Sequence, residues 1–398
     1  MKVVHINTSD NGGAFQALYR LHIGLLRQGI DSKVLVLHQY NKGLQEVYPF
    51  LPTITWWKRL RSSFLYRFIE NKHRNTLKNK PQTPFSFPDT PYDIASSKLV
   101  IQADVINLHW VANFLDYRSF FTKCQKPIVW SLHDMNPFSG GFHYQTYFNE
   151  SYQEEEEKII NFKTKLFKEN KKLHIVCLSK WLYEESIKSQ TFKHLPHNLI
   201  PNSLDTAVFK PYNKIEARKQ FGLPQDKKIV LFVAESVQDR RKGLFCLLDA
   251  MKYIDMKDVF LATIGELSII GEDIKSLGFI KDPETLAKAY NCADVFVVPS
   301  LEDNLPNTVM EAMACGVPVV AFNVGGIPDM IQDNENGLLA TLEDNKELAQ
   351  KITYLIENEA ERTRISQACF QTIRERYMLA IQAKRYIELY KKQVLRKL

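Results

Sequence analysis

Residues 294–321 read DVFVVPSLEDNLPNTVMEAMACGVPVVA. An apolar run ends at Pro299, a short acidic loop leads into a helical segment, and Gly316 separates that segment from a second apolar run. Runs rich in valine without polar alternation are typical of parallel strands buried on both faces. This stretch therefore predicts one strand–helix–strand unit of a doubly wound α/β sheet.

The same alternation of short apolar runs with helical patterns extends over most of the 398 residues. It indicates two doubly wound sheets, one in each half of the chain. The predicted strands are 3–7, 33–37, 105–109, 128–132 and 175–178 in the first half, then 229–233, 259–264, 295–298 and 317–321. The first helix is predicted directly after Gly12-Gly13. Further helices are predicted at 215–221, 244–251, 283–291, 306–314 and over nearly everything from about 345 onward.

The boundary between the halves is predicted at 200–211, where IPNSLDTAVFKP combines two prolines with turn-forming residues. One segment departs from the alternation, because 42–90 contains no clear strand. Within it, 56–80 carries eight Lys or Arg and one acid, and places Trp57, Leu60, Phe64 and Phe68 on one helical face. Two interpretations stay open: a helix lying on an anionic membrane, or a helix packed on its own domain with a solvated basic face.

Composition narrows the class of protein. Hydrophobic residues make up 45% and charged residues 24%, as in globular domains, and the formal charge of +7 is compatible with an anionic substrate, membrane or nucleic acid. Six cysteines without a CxxC pair predict buried, reduced thiols of a cytoplasmic protein and argue against a zinc site. We predict a soluble or peripheral protein, since the polar N-terminus is unlike a signal peptide and no apolar run approaches 20 residues.

Three groups of residues follow predicted strands, where open α/β sheets bind ligands. Gly12 and Gly13 allow close backbone approach, and the following helix start favours phosphate, although the GxGxxG of simple dinucleotide-binding domains is absent. Arg240-Arg241-Lys242-Gly243 offers cations to a diphosphate or forms an exposed basic turn. Asp303 suits the compensation of a helix dipole, whereas Glu311 lies in a helix of small and apolar residues and predicts a ligand contact.

With these motifs, the chain resembles retaining glycosyltransferases of family 4, which have GT-B architecture: two doubly wound Rossmann-like domains facing a cleft. Besides 294–321, the resemblance rests on Gly12-Gly13, DVINLHW, SLHDMNPFSGGFHY, the boundary stretch, the basic turn and VGGIPD at 324–329. It implies an acceptor-side domain at 1–200, a donor domain at 201–376 and a final helix, 377–398, that crosses back onto the first domain.

Two departures from the family pattern are visible. Asp303 stands where the family usually has Glu, and Glu302 lies one step early, which affects the expected sugar specificity. Ser236 stands where many members have an Arg, a role that Arg240 or Arg241 would have to take.

The resemblance implies a metal-independent transfer without a cofactor, from a nucleoside diphosphate sugar to a saccharide or lipid-linked acceptor, in bacterial surface-polysaccharide assembly. Glu311 would hold the ribose, Arg241 and Lys242 the diphosphate, and Asp303 the sugar. The remaining implied donor contacts are Gly12, Gly13 and the amides of Asn304 and Leu305. The enzyme would be cytoplasmic, at the inner membrane face if 56–80 binds lipid.

His133 matches a family histidine beside the reacting sugar. Asp134 would orient His133 or cap the next turn, His109 is a weaker acceptor-side candidate, and His5 is interpreted as structural. The glycine pair at 140–141 suggests a mobile loop over the acceptor.

Three alternatives remain. A GT-B epimerase would consume its nucleotide sugar without an acceptor, and a phosphorylase would need a longer chain with a cofactor lysine motif. A membrane- or nucleic-acid-binding protein is supported by 56–80 alone, and no nucleic-acid-binding motif accompanies that segment.

Overall fold

The computed structural model describes residues 1–51, 56–168, 170–236, 239–266 and 274–395, and the side chains of 56–66 are outside the description. The chain divides into two compact units. The first comprises Met1–Pro201 and Gln382–Leu398, and the second comprises Asn202–Ile381.

The first unit is built on a parallel sheet of seven strands in the order β3-β2-β1-β4-β5-β6-β7. The strand order reverses between β1 and β4, so ligands are expected beyond the carboxyl ends of these strands. The strands are β1 Lys2–Ser9, β2 Asp31–His38, β3 Val47–Pro49, β4 Val105–Leu108, β5 Ile128–Leu132, β6 Leu173–Cys177 and β7 His197–Leu199. The helices are α1 Gly12–Arg27, α2 Trp56–Leu77, α3 Lys98–Gln102, α4 Tyr117–Lys123, α5 Gln153–Phe167 and α6 Lys180–Lys188.

Both faces of this sheet are buried, which explains its unbroken apolar strands. One face packs under Trp130 and its aromatic neighbours. The other is covered by the last helix of the chain, whose Tyr386 and Tyr390 pack on the valines of the central strands. Tyr390 also accepts a hydrogen bond from Asn107 at 2.7 Å, so a buried amide of β4 is satisfied by this helix.

The second unit repeats the design with six parallel strands in the order β10-β9-β8-β11-β12-β13. The strands are β8 Lys228–Val233, β9 Val259–Ile264, β10 Ile274–Ser276, β11 Val295–Val298, β12 Val319–Phe322 and β13 Leu338–Ala340. The helices are α7 Lys214–Phe221, α8 Leu244–Met251, α9 Pro283–Tyr290, α10 Asn307–Ala314, α11 Asn345–Glu357 and α12 Glu359–Arg376, and α13 Leu379–Leu395 follows.

The prediction of two parallel α/β sheets is confirmed, but it lacks the four short strands at the sheet edges, β3, β7, β10 and β13. Residues 42–90 do contain a strand, because β3 pairs in parallel with β2. It has three residues and ends in a proline at the sheet edge, which leaves too short a pattern for the sequence to reveal. Phe68 is exposed on α2, whereas Trp57, Leu60 and Phe64 lie outside the residues whose side chains are described. Within the described residues, no helix has the length and apolarity to cross a membrane.

Candidate functional site

Two loops at the carboxyl edge of the second sheet are joined through their backbones. The loop after β8 contains Arg241, whose carbonyl accepts a hydrogen bond from Leu301 in the loop after β11, at 2.8 Å. Gly243 has φ +70°, and a Cβ on it would lie 1.7 Å from the carbonyl oxygen of Pro299. Only glycine fits such an approach, so Gly243 fixes how closely the basic loop packs against the acidic one.

Asp303 receives both cations of the basic loop. Its Oδ2 atom lies 2.6 Å from Lys242 Nζ and 3.5 Å from Arg241 Nη1. Burial alone would raise the pKa of Asp303, but Lys242 and Arg241 hold it below its usual value. Asp303 is therefore a buried carboxylate with two cations beside it.

Arg241 is oriented by further contacts. Its Nη1 atom donates to the Glu302 carbonyl at 2.8 Å, and its Nη2 atom donates to Asp239 at 3.2 Å. Asp239 also accepts from the Arg241 amide at 3.0 Å. A planar guanidinium held at several points is fixed in direction, which suits it to a defined anion geometry.

The VGGIPD element supports the same loop from the other side. Gly325 has φ +57°, and a Cβ there would lie 2.0 Å from the Asp303 carbonyl oxygen. The Gly326 amide donates to that carbonyl at 3.0 Å. This sequence element is thus placed to hold the backbone of Asp303.

Helix α10 begins after Pro306 and carries Glu311, which is buried. Tyr290, at the end of α9, donates its hydroxyl to Glu311 Oε2 at 2.9 Å. A buried carboxylate needs such a partner, and the hydrogen bond fixes one of its oxygens. Asn304 and Leu305 are also buried, and the Asn304 amide donates to Asp303 Oδ1 at 3.0 Å.

One more acid lies at this edge. Glu235 follows β8, and burial raises its pKa, with Glu266 at the end of β9 adding to the effect and Lys242 opposing it. Glu235 immediately precedes Ser236, where the family pattern has an Arg.

At the carboxyl edge of the first sheet, three histidines form a chain. His5 Nδ1 lies 3.0 Å from His109 Nε2, and His109 Nδ1 lies 3.0 Å from His133 Nε2. His5 and His109 are buried, whereas His133 is partly exposed. Burial lowers the pKa of His133 to about 4, against the opposing charge of Asp134. The three rings are accordingly neutral near pH 7.

Asp134 is held by residues that the sequence reasoning missed. Its Oδ2 atom lies 2.6 Å from His143 Nδ1 and accepts from Trp110 Nε1 at 2.8 Å. Its Oδ1 atom accepts from the Asn136 amide at 3.0 Å, which is the turn-capping role. Burial would raise the pKa of Asp134, but His143 and these donors lower it. The histidine shown bonded to the Asp134 carboxylate is thus His143, and His133 is bonded to His109.

The glycine pair at 140–141 does not form an open loop. Glu156 accepts hydrogen bonds from both glycine amides, at 2.7 and 2.6 Å. Lys163 donates to three carbonyls of the same turn, including that of Gly140 at 2.6 Å. The suggestion of a mobile loop is therefore wrong for this state of the protein, because two buried side chains fix its backbone.

Gly12, with φ +84°, starts α1 directly after β1, and Gly13 is its second residue. The structure thus brings the predicted residues together in two groups. One contains Arg241, Lys242, Asp303, Asn304, Leu305 and Glu311, and the other contains His109, His133 and Asp134. A cavity of about 320 Å³, lined by Lys214, Lys228 and Arg362, lies at the opposite, amino edge of the second sheet. No cluster of three metal-ligating side chains occurs among the described residues.

The fold places the protein in a class. It is that of GT-B glycosyltransferase structures, two parallel-sheet Rossmann-like units. Sucrose-phosphate synthase from Thermosynechococcus elongatus matches with a TM-score of 0.71, 19% identity and coverage of 98% of this chain and 99% of that one. HepE from Anabaena, solved with UDP and glucose, matches with a TM-score of 0.71, 17% identity and coverage of 98% and 99%.

The sequence matches cover a smaller part of the chain than the structural matches. Residues 227–358, which include the paired loops and Glu311, match the family described as Glycosyl transferases group 1. The D-inositol 3-phosphate glycosyltransferase of Acidothermus cellulolyticus is 29% identical over 180 residues, 40% of each chain. The chain thus spans about two fifths of the length of that curated relative. The family match thus lies within the second unit, whereas the likeness to solved structures extends over nearly the whole chain and is one of fold.

Proposed function

We propose that the protein transfers a sugar from a nucleoside diphosphate donor to a saccharide or lipid-linked acceptor. The observation that carries the proposal is the set of opposed charges at one sheet edge: partly exposed Lys242 and buried Arg241 beside buried Asp303, with Glu311 held by Tyr290. Solved HepE complexes with UDP and with UDP-glucose support a nucleotide-sugar donor for this fold.

In this proposal Lys242 and Arg241 bind the diphosphate, whose negative charge grows as the glycosidic bond breaks. Fixed cations at that point lower the barrier. In the present structure Lys242 is paired with Asp303 at 2.6 Å. The arriving diphosphate therefore competes with Asp303 for this cation, and Asp303 is released toward the sugar with the amides of Asn304 and Leu305.

Glu311 is proposed to accept hydrogen bonds from the ribose hydroxyls. The bond from Tyr290 holds one carboxylate oxygen and sets the direction of the other. Gly12 and Gly13, at the start of α1, are proposed to lie against the donor phosphates. His133 is proposed to lie beside the reacting sugar, with His109 and Asp134 as orienting residues on the acceptor side.

The transfer is proposed to retain the anomeric configuration, by attack on the face that the diphosphate leaves, with the leaving phosphate taking the acceptor proton. Lys242 and Arg241 supply the positive charge that a metal supplies in other transferases. The acceptor is proposed to belong to bacterial surface-polysaccharide assembly, which rests on the SLHDMNPFSGGFHY resemblance. The name of the curated relatives adds inositol phosphate to the acceptors worth testing.

The test is a transfer assay with UDP- and GDP-sugars, with EDTA present, and with lipid-linked saccharides and inositol phosphate as acceptors. The expected product is a glycoside with the donor's anomeric configuration, read from its proton coupling constants. An inverted anomer would contradict the retaining mechanism. Conversion of the nucleotide sugar to its epimer without acceptor would contradict the transferase proposal.

We also propose that 56–80 brings the enzyme to anionic lipid. Arg67, Lys72, Arg74 and Lys78 are exposed in the described part of this segment. Reversing Arg74 and Lys78 to Glu should abolish cosedimentation with phosphatidylglycerol vesicles, while reversing Lys252 and Lys257 in the second unit should not. Equal cosedimentation of the two double variants would remove the membrane role.

A further inference from the structure

The histidine chain of the first unit, His5–His109–His133, has a direction. Each contact between neighbouring rings, at 3.0 Å, holds one proton between two nitrogens. A neutral imidazole carries a single N–H, so the tautomer of one ring dictates that of the next. The whole chain therefore has two states: all protons toward His5, or all protons toward His133.

We propose that His5 and His109 are positioning residues that fix His133 as the Nδ1–H tautomer, with His133 Nε2 accepting from His109. His109 is then an Nδ1–H tautomer whose Nε2 accepts from His5 Nδ1. In this state His133 presents a hydrogen-bond donor at Nδ1, and its Nε2 lone pair is occupied.

The buried end of the chain, at His5, selects this direction. In the described part of the chain, His5 Nε2 has no hydrogen-bond partner, and His5 is fully buried. The opposite state would place a proton on this nitrogen, as an unsatisfied buried N–H. Orphaned buried N–H groups are rarer in proteins than under-satisfied acceptors.

The neighbouring His22 makes its hydrogen bonds with groups outside the chain. His22, the histidine next to His5, is occupied by other groups: its Nε2 lies 3.0 Å from the Gln45 carbonyl and its Nδ1 2.7 Å from the Ser32 hydroxyl. A carbonyl accepts only, so His22 is an Nε2–H tautomer that receives the Ser32 proton.

The consequence rests on the proposed function. A donor at His133 Nδ1 suits a sugar hydroxyl acting as acceptor and cannot take a proton from the attacking hydroxyl. The structure thus assigns His133 to binding and orientation, which agrees with a mechanism in which the leaving phosphate takes the acceptor proton.

The experiment is long-range ¹H–¹⁵N correlation NMR of the full chain labelled with ¹⁵N-histidine, at pH 7, with peaks assigned through single variants. The expected spectrum has His109 and His133 as fixed Nδ1–H tautomers. In His5→Phe the donor to His109 is lost, and the Nδ1–H signature of His133 should weaken. In His174→Phe it should not change, because His174 is a buried histidine of the same sheet bonded to Asn198 and Gln393 instead.

An Nε2–H tautomer or an averaged mixture at His133 in the wild-type spectrum would overturn the proposal, and this reading does not depend on whether the variants fold. The kinetic readout is a fall of about fivefold to tenfold in kcat for His5→Phe, the worth of about one hydrogen bond, with KM for the donor unchanged. If the tautomers are as expected but no nucleotide sugar is turned over, the proposed function fails while the assignment of the chain stands.

Discussion

The carboxyl edges of the two sheets occupy equivalent positions in the same kind of fold, but one carries ion pairs and the other carries neutral histidines. In the second unit, Lys242 and Arg241 face the buried carboxylate of Asp303. In the first unit, the edge is a line of neutral histidines, whose pKa values are lowered by burial. The second edge is suited to an incoming polyanion, because fixed cations attract it. The first is suited to directed hydrogen bonds with a neutral ligand.

The largest expected effect concerns the charged edge. Lys242→Met should lower kcat by about a hundredfold to a thousandfold, the range found when one preorganised group is removed from a developing anion. Lys252→Met is the matched control, because Lys252 makes an exposed ion pair with Asp249 in the same unit. Steady-state kinetics measures kcat for both variants. Equal losses of kcat in the two would contradict the role proposed for Lys242.

The packing of the two loops gives the next effect. Gly243→Ala adds a Cβ that meets the Pro299 carbonyl at 1.7 Å, whereas Gly278→Ala, at nearly the same φ, meets nothing within 4 Å. Both variants carry the strain of a left-handed alanine, about 1 kcal/mol, but only Gly243→Ala must also displace the loop of Asp303. Urea unfolding should show a loss for Gly243→Ala at least about twice that of Gly278→Ala. Similar losses would mean that the loops yield easily.

Beside the histidines of the first unit lies the carboxylate of Asp134, and its removal is expected to cost less. Asp134→Asn leaves His143 and Trp110 with a weaker acceptor, and should destabilise the protein by about 1–3 kcal/mol. The folded pKa of Asp134 is below its unfolded value, so its contribution is present above the unfolded pKa and is lost as pH falls through the folded pKa.

The wild type and Asp134→Asn should therefore differ most in stability near neutral pH and converge in acid. Urea unfolding at a series of pH values measures this. A difference that does not change with pH would show that the Asp134 charge has no part in it.

These residues also show what the sequence could reveal. The strands at 229–233, 259–264 and 295–298 are found nearly as predicted, because each is an unbroken apolar run with a clear end. The sequence does not reveal the edge strands β3, β7, β10 and β13, since each has only three residues and therefore little hydrophobic pattern. Motif spacing placed Asp303 and Glu311 near one another, because the intervening loop and helix are continuous in the chain.

Partners from other elements were not predictable. Tyr290 contacts Glu311 from a different helix, and the Asp134 carboxylate is bonded to His143, whereas the sequence suggests His133 as its partner. A single histidine in a strand carries no functional signal, so the sequence alone favours a structural interpretation of His5. Its link to His109 depends on the pairing of β1 with β4, which brings together residues about a hundred positions apart.

The smallest expected effect concerns Tyr290, whose hydroxyl donates to Glu311. Tyr290→Phe removes one hydrogen bond to the carboxylate, worth about 1 kcal/mol, and should weaken nucleotide binding about fivefold. Phe209→Leu is a suitable control, because the Phe209 ring packs near the Tyr290 ring, with centroids 6.4 Å apart, and has no hydrogen-bonding group to offer Glu311. Unchanged nucleotide affinity in Tyr290→Phe would show that Glu311 is positioned without it.

Calorimetric titration would show whether the charged edge binds a nucleoside diphosphate. UDP, GDP and ADP would each be titrated, without metal, into the wild type, Glu311→Gln and Glu357→Gln, which alters an exposed carboxylate at the end of α11. We expect one nucleotide to bind the wild type and Glu357→Gln alike and to bind Glu311→Gln at least about tenfold more weakly. Binding of equal strength to all three proteins, or no binding to the folded wild type, would contradict it.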